Sequence, residues 1–150
     1  MSENPFADLV LAHNRAPIGR ERLASPTFTA RGANPLCGDD LTLDGRIEGN
    51  VVRELGYAID ASALTLASTS LMVSLCQGRE LDAVRTLCGG VLRYLSGAGS
   101  PPLAEIAVFD SVLGYRNRLK TLTLPWATLL RALDGQLQTS TDSELTGGSN

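Results

Sequence analysis

Apolar and polar residues alternate between residues 27 and 59, the period of β-strands that have one buried face. This alternation predicts strands over residues 27–31, 41–48 and 51–59, and Gly49-Asn50 is a hairpin turn signal between the last two. Three antiparallel strands with one apolar face require a helical layer to cover that face.

Apolar residues at helical spacing flank this segment on both sides. The predicted helices are one that starts at Asn4-Pro5, one capped by Ser62 and running to about Gln77, one from Glu80 to Leu95, a short broken one from Leu103 to Leu113, and a last one that Pro125 opens. We therefore predict an α+β fold, a three-stranded antiparallel meander covered by helices on one face.

The length of 150 residues and the 43% hydrophobic content favour one globular domain. That domain is predicted to span residues 1–135. Residues 136–150 are polar and rich in Ser, Thr and Gly, so we expect a disordered tail there.

Charge and hydropathy argue against several classes of function. The net charge of −3 and the lack of a basic stripe predict no nucleic-acid binding. No apolar run approaches the roughly 18 residues of a membrane helix, so no membrane partner is expected. The first residues include Glu3 and Asp8 instead of a basic cluster, which predicts no export signal and a cytoplasmic location.

The three cysteines are Cys37, Cys76 and Cys88, an odd number that favours reduced thiols over a disulfide framework. Cys76 and Cys88 lie on predicted helices, where a free cysteine packs as a small hydrophobic residue. Cys37 lies in a turn containing Pro and Gly, where neighbouring amides can favour a thiolate. A reactive thiol and a thiol without a role are both compatible with that position.

Three segments together resemble one protein family. Residues 34–39 (NPLCGD), 67–72 (ASTSLM) and 118–126 (RLKTLTLPW) are similar, in order and spacing, to segments of the U-type iron–sulfur cluster assembly scaffolds, the NifU, IscU and SufU class. Residues 13–17 (HNRAP) resemble the segment at the start of those proteins. The resemblance covers roughly residues 6 to 134 and implies the two-layer fold of that class.

In that family three cysteines and one aspartate bind an assembling cluster or a zinc ion. The resemblance places Cys37 at the first cysteine and Asp39 at the aspartate, but Ser62 and Thr121 stand where the other two cysteines are expected. Hydroxyl groups are harder ligands than thiolates, and they do not supply the negative charge that clusters and structural zinc select. Cys37 and Asp39 alone fall short of the roughly four ligands of a tetrahedral site, even if Asp60 were to join them.

Each of these positions also has a purely structural interpretation. Asp39 can accept hydrogen bonds from nearby backbone amides, and Ser62 can cap the following helix. Thr121 can serve as a turn or cap residue. Lys120, which matches a lysine beside the third family cysteine, can be an ordinary solvated lysine. His13 would be a base for Cys37 only if the fold brought the two together.

By this resemblance, the chain is an iron–sulfur cluster assembly protein that works beside a cysteine desulfurase and handles iron, zinc or sulfur at Cys37. It implies a scaffold or carrier that holds a cluster or zinc, or no cofactor as an isolated monomer. A homodimer that bridges two Cys37 and two Asp39 side chains would complete a shared site. The alternatives are a sulfurtransferase that uses Cys37 alone and a non-metal module that binds and regulates a desulfurase or another assembly factor.

Overall fold

The computed structural model describes residues 4–140. The elements are α1 (Pro5–Arg15), β1 (Phe28–Asn34), a 3-10 turn (Pro35–Cys37), β2 (Asp39–Glu48), β3 (Val51–Asp60), α2 (Ala63–Cys76), α3 (Leu81–Leu95), a 3-10 segment (Ala104–Val112), α4 (Arg116–Leu133) and β4 (Gln138–Ser140). The predicted α+β class, with its antiparallel meander, is confirmed.

The sheet has the strand order β3-β2-β1-β4, with one strand more than predicted. β1, β2 and β3 pair antiparallel along the chain, whereas β4 pairs parallel with β1, with Arg31 opposite Gln138 and Ala33 opposite Ser140. This strand lies in the segment 136–150 that was expected to be disordered, and residues 141–150 lie outside the described residues. A three-residue edge strand is held by backbone hydrogen bonds, which leave no apolar periodicity in the sequence.

The helices cover one face of the sheet and form the core with it. α2 is buried along most of its length, as its small and apolar residues predict. Gly32 in β1 lets α4 approach closely, because a Cβ there would lie 2.1 Å from the Thr128 hydroxyl oxygen. The largest fully buried side chains include Trp126, Tyr57 and Phe109, so the core joins α4, the sheet and the 3-10 segment.

The last helix begins earlier than the sequence predicted. Pro125 was expected to open it, but α4 starts at Arg116 and contains Pro125 in its interior. Proline lacks a backbone N–H, so it cannot make its own helical hydrogen bond, a loss that is usually costly. Packing accounts for its retention here, because Pro125 and its neighbours Leu124 and Trp126 are all buried.

The loop between α1 and β1 crosses the other face of the sheet and is fastened to β2. Arg22 Nε donates to Asp44 Oδ2 at 2.6 Å, and the Leu23 amide donates to the same oxygen at 3.0 Å. Thr29 donates its hydroxyl to Asp44 Oδ1 at 2.6 Å. Burial raises the pKa of Asp44, but these hydrogen bonds outweigh burial and the pKa is lowered overall.

Between residues 4 and 140, no helix is both long and apolar enough to cross a membrane.

Candidate functional site

Cys37 is displayed at the surface in the turn between β1 and β2. Pro35–Cys37 form a single 3-10 turn, closed by the Gly38 amide, which donates to the Pro35 carbonyl at 3.2 Å. Gly38 has a φ of 76°, a left-handed conformation that suits glycine. Cys37 is exposed, and the neighbouring Leu36 is 79% exposed. The turn therefore offers a thiol beside an apolar side chain to an approaching molecule.

Asp39, two residues further on, points inward and is only 2% exposed. Its Oδ1 accepts a hydrogen bond from the Ser62 amide at 3.1 Å, and its Oδ2 accepts one from the Thr65 hydroxyl at 2.9 Å. Both donors belong to the first turn of α2 or to its cap. The carboxylate thus holds the end of the Cys37 turn against the start of that helix.

Ser62 and Thr121, the two positions where the resemblance led us to expect cysteine, have structural partners. Ser62 caps α2, as predicted, by accepting from the Thr65 amide at 3.3 Å. Thr121 was predicted in a turn or cap, which is wrong, because it lies inside α4 and donates its hydroxyl to the Arg118 carbonyl at 2.6 Å.

Asp60 ends β3, exposed and opposite Asp40. Lys120 is half-buried in α4.

Cys76 and Cys88 are both 0% exposed and belong to the core, which confirms the prediction for them. The hydrogen bond that the Cys88 thiol donates to Cys76, together with burial, raises the pKa of Cys88. A thiol that is kept protonated in the core, as Cys88 is, is a poor nucleophile and a poor ligand. Among the described cysteines, only Cys37 is accessible.

His13 has a structural partner on α2. Its Nδ1 and the Ser70 hydroxyl oxygen lie 2.6 Å apart, and that oxygen also accepts from the Ile18 amide at 2.7 Å. Burial lowers the pKa of His13. These contacts dock α1 onto α2, so the role of His13 as a base for Cys37 remains without support.

The motif residues also join α2 to α4. Ser68 donates its hydroxyl to the Leu122 carbonyl at 2.7 Å and accepts from the Trp126 indole N–H at 3.0 Å. All of these groups are buried, so each unmade bond would leave a polar atom without a partner. The segments 67–72 and 118–126, which carry part of the family resemblance, therefore have a structural use that does not depend on a metal site.

Sequence reasoning missed Thr65. It stands three residues after the helix cap, a position where a polar side chain commonly takes part in capping. That spacing was available as a signal, but the resemblance pointed only to the family ligand positions. Residue 65 has a role here because its hydroxyl reaches the buried carboxylate of Asp39.

Comparison with known proteins identifies the family. The model for the NifU-like N terminal domain matches residues 6–121 of this chain. The chain belongs to this family. The predicted resemblance to the U-type scaffolds is thereby confirmed.

Two curated relatives agree with this assignment. The Thermotoga maritima iron–sulfur cluster assembly scaffold protein IscU is 25% identical over 85% of this chain and 92% of its own length. The Bacillus subtilis zinc-dependent sulfurtransferase SufU is 24% identical over 83% of this chain and 86% of its own length.

The fold is shared with a putative iron–sulfur cluster assembly scaffold protein for the SUF system from Fervidobacterium islandicum, at a TM-score of 0.79 and 23% identity over 89% of this chain and 99% of that one. The N-terminal part of a NifU-like protein from Brucella abortus gives a TM-score of 0.78 at 22% identity, over 88% of this chain and 94% of that one.

The donor set of this chain does not fit the metal or cluster site that the NifU-like family implies. No group of three or more His, Cys, Asp or Glu side chains within residues 4–140 is arranged to hold a metal ion. Cys37 is exposed, whereas both oxygens of Asp39 accept hydrogen bonds inside the protein. A tetrahedral site needs about four ligands, and this turn offers one uncommitted thiol.

Proposed function

We propose that this protein acts in iron–sulfur cluster assembly by handling sulfur at Cys37. The observation that carries the proposal is the exposure of Cys37 on a closed turn, while Cys76 and Cys88 are buried. Membership of the NifU-like family and the names of the two curated relatives support a role in cluster assembly. The cytoplasm, which keeps thiols reduced, is the expected location.

The sulfur donor proposed is the persulfide of a cysteine desulfurase. The Cys37 thiolate attacks the terminal sulfur of the donor persulfide, so that a new S–S bond forms on Cys37. The S–S bond of the donor breaks, and the donor cysteine leaves as a thiolate. The step exchanges one persulfide for another and needs no added oxidant or reductant.

Transfer of labelled sulfur tests the proposal directly. A cysteine desulfurase charged from ³⁵S-labelled cysteine is mixed with the protein without oxygen, and label is measured on a non-reducing gel. We expect label on wild type and on Cys88→Ala, and none on Cys37→Ser. If wild type carries no more label than Cys37→Ser, sulfur handling at Cys37 is wrong.

A regulatory module without chemistry is the second candidate. It is favoured by the internal hydrogen bonds of Asp39, Ser62 and Thr121, because the family fold persists while the ligand positions serve the structure. The two candidates differ in what Cys37→Ser does. A module would still bind the desulfurase and change its rate of cysteine consumption after Cys37 is replaced, whereas a sulfur acceptor would lose its effect.

A further inference from the structure

Both oxygens of the buried Asp39 carboxylate accept a hydrogen bond from the start of α2. Oδ1 accepts from the Ser62 amide at 3.1 Å and Oδ2 from the Thr65 hydroxyl at 2.9 Å, in a position only 2% exposed. Ser62 and Thr65 contact each other as well, with 3.1 Å between their hydroxyl oxygens. We call Asp39, Ser62 and Thr65 the Asp39 network.

Each oxygen keeps a second lone pair, but at 2% exposure Asp39 could reach a metal ion beside Cys37 only by turning outward and giving up one of these donors. The amide of Ser62 would then lose its acceptor, or the Thr65 hydroxyl would keep only its contact with the Ser62 hydroxyl; Thr65 is 0% exposed, so water could not replace the lost carboxylate there. The loss would fall on the first turn of α2, where backbone amides have no helical acceptor of their own. Coordination and helix capping therefore compete for the same two oxygens.

The network also determines where the Cys37 turn sits. Asn34 and Asp39 are opposite each other in the β1–β2 register, so they form the base of the turn. Gly38 closes the turn through its bond to the Pro35 carbonyl. Asp39 then attaches the Cys37 turn to α2 through its two hydrogen bonds. This attachment fixes the side of the molecule on which Cys37 is exposed.

We propose that Asp39, at a metal-ligand position of the NifU-like family, is a positioning residue in this chain. It fixes the Cys37 turn to the start of α2, and Cys37 operates without a metal ion. The part of this inference that concerns the chemistry of Cys37 rests on the proposed function. The contact between Asp39 and α2, and the inference that Asp39 binds no metal ion, do not depend on the proposed function.

Asp39→Asn separates positioning from ligation. Asparagine can still accept from the Ser62 amide through its oxygen and can donate to the Thr65 hydroxyl through its nitrogen. Thr65 would then turn its own proton toward the Ser62 hydroxyl, 3.1 Å away. A neutral amide is a poor ligand for zinc or iron. Positioning therefore survives this change, whereas ligation does not.

The exchange rate of the Ser62 amide proton, followed by NMR, reports the network directly. We expect exchange about tenfold faster in Asp39→Ala, several-fold faster in Thr65→Val, and within about twofold of wild type in Asp39→Asn. Thr128→Val is the matched control, because Thr128 is a buried helical threonine whose hydroxyl only returns to the Leu124 carbonyl. It should leave Ser62 exchange unchanged. If Asp39→Ala does not fold, Thr65→Val and Asp39→Asn still decide the outcome.

Zinc binding supplies the second measurement. Wild type, Cys37→Ser and Asp39→Asn are dialysed against zinc without oxygen, and bound metal is measured by mass spectrometry. We expect the same low zinc content in all three, and no change in Ser62 exchange when zinc is added. The proposal would be overturned if wild type bound about one zinc ion per chain, or one per two chains, and Asp39→Asn lost that zinc.

Neither measurement uses a desulfurase, so the result is separable from the sulfur-transfer test. Failure of Cys37 to accept sulfur, with the exchange and zinc results as expected, would remove the proposed function and leave the Asp39 network intact.

Discussion

At the scale of single residues, hydroxyl groups stand at two positions where the family resemblance led us to expect cysteine. Ser62 and Thr121 carry hydroxyl groups that stay neutral near pH 7 and that readily make short hydrogen bonds to backbone groups. Ser62 uses its hydroxyl to cap α2, and Thr121 uses its hydroxyl on the Arg118 carbonyl. Oxygen at these positions therefore stabilises the helices, whereas thiolates would have supplied negative charge for a metal.

Restoring both thiols should restore metal binding. In the double variant Ser62→Cys/Thr121→Cys, three thiolates and Asp39 would make a four-ligand set of the kind that zinc prefers, and metal binding of this kind can supply enough free energy to displace the hydrogen bonds of Asp39. We expect about one zinc ion per chain in the double variant and far less in wild type. Adding Cys37→Ser to the double variant should remove most of that zinc. Equal zinc in the double variant and wild type would show that residues 37, 62 and 121 do not converge.

At the scale of the elements, a few buried hydrogen bonds join helices that are distant in sequence. Ser68 ties α2 to α4 through Leu122 and Trp126, and Ser70 ties α2 to α1 through His13. α2 is almost entirely buried, so these hydroxyl groups have no access to bulk water. Each contact fixes the orientation of a helix that its apolar residues alone leave free to rotate.

The docking of α1 should depend on pH through His13, the one histidine of the sequence. Its pKa is lowered from 6.5 by burial, so the unfolded chain binds the proton more tightly than the folded protein does. The contribution of neutral His13 is therefore complete above about pH 6.5 and is lost progressively as the pH falls below that value. Urea unfolding at pH 7.5 and pH 5.5 measures the loss.

His13→Asn provides the control, since asparagine keeps a donor and an acceptor near the Nδ1 position but does not titrate. Wild type should lose more unfolding free energy between the two pH values than this variant. All other ionisable groups are shared by the two proteins, so their effects cancel. Equal losses would mean that the proton affinity of His13 does not change on folding.

At the scale of the whole molecule, the two faces of the sheet are stabilised in different ways. One face packs on helices through apolar side chains, whereas the other is crossed by the loop that Asp44 holds through Arg22, Leu23 and Thr29. The Asp44 side chain is 0% exposed, while Arg22 remains half exposed. The buried carboxylate of Asp44 therefore helps to anchor the loop that links the first helix to the sheet, beside the Tyr57 amide, which donates to the Glu21 carbonyl at 2.9 Å.

Asp44→Ala should destabilise the protein by about 3 kcal/mol, because it leaves several donors without an acceptor. Asp40→Ala is the matched control, because Asp40 lies on the same strand as Asp44 but forms an exposed ion pair, with Arg31. Its loss should lower the free energy of unfolding by less than about 0.5 kcal/mol. Denaturant unfolding near pH 7 measures both. A cost for Asp44→Ala as small as that for Asp40→Ala would show that the loop is held by other contacts.

More of the fold than of the candidate site could be predicted from the sequence. Alternation along β2 and β3 and the apolar stripe of α3 are local patterns, so those elements were visible in the sequence. β4 and the start of α4 were not, because a three-residue edge strand has no period and buried packing overrides the usual effect of Pro125. For the site, positions 37, 39, 62 and 121 came from the family resemblance and stay a prediction, whereas the partners of Asp39 could not be predicted, because they depend on the packing of α2 against the sheet.

The sequence by itself determined the class of the fold, the family and the lack of two thiols, since each of these depends on residue types and on their order along the chain. Only the tertiary structure decided that Asp39 is buried against Ser62 and Thr65 and that Cys37 alone among the described cysteines is exposed. Burial and hydrogen-bond partners are set by segments far apart in sequence: residues 39 and 65 meet because the sheet and α2 pack together. The same carboxylate can be a ligand or a structural acceptor, and its surroundings decide which.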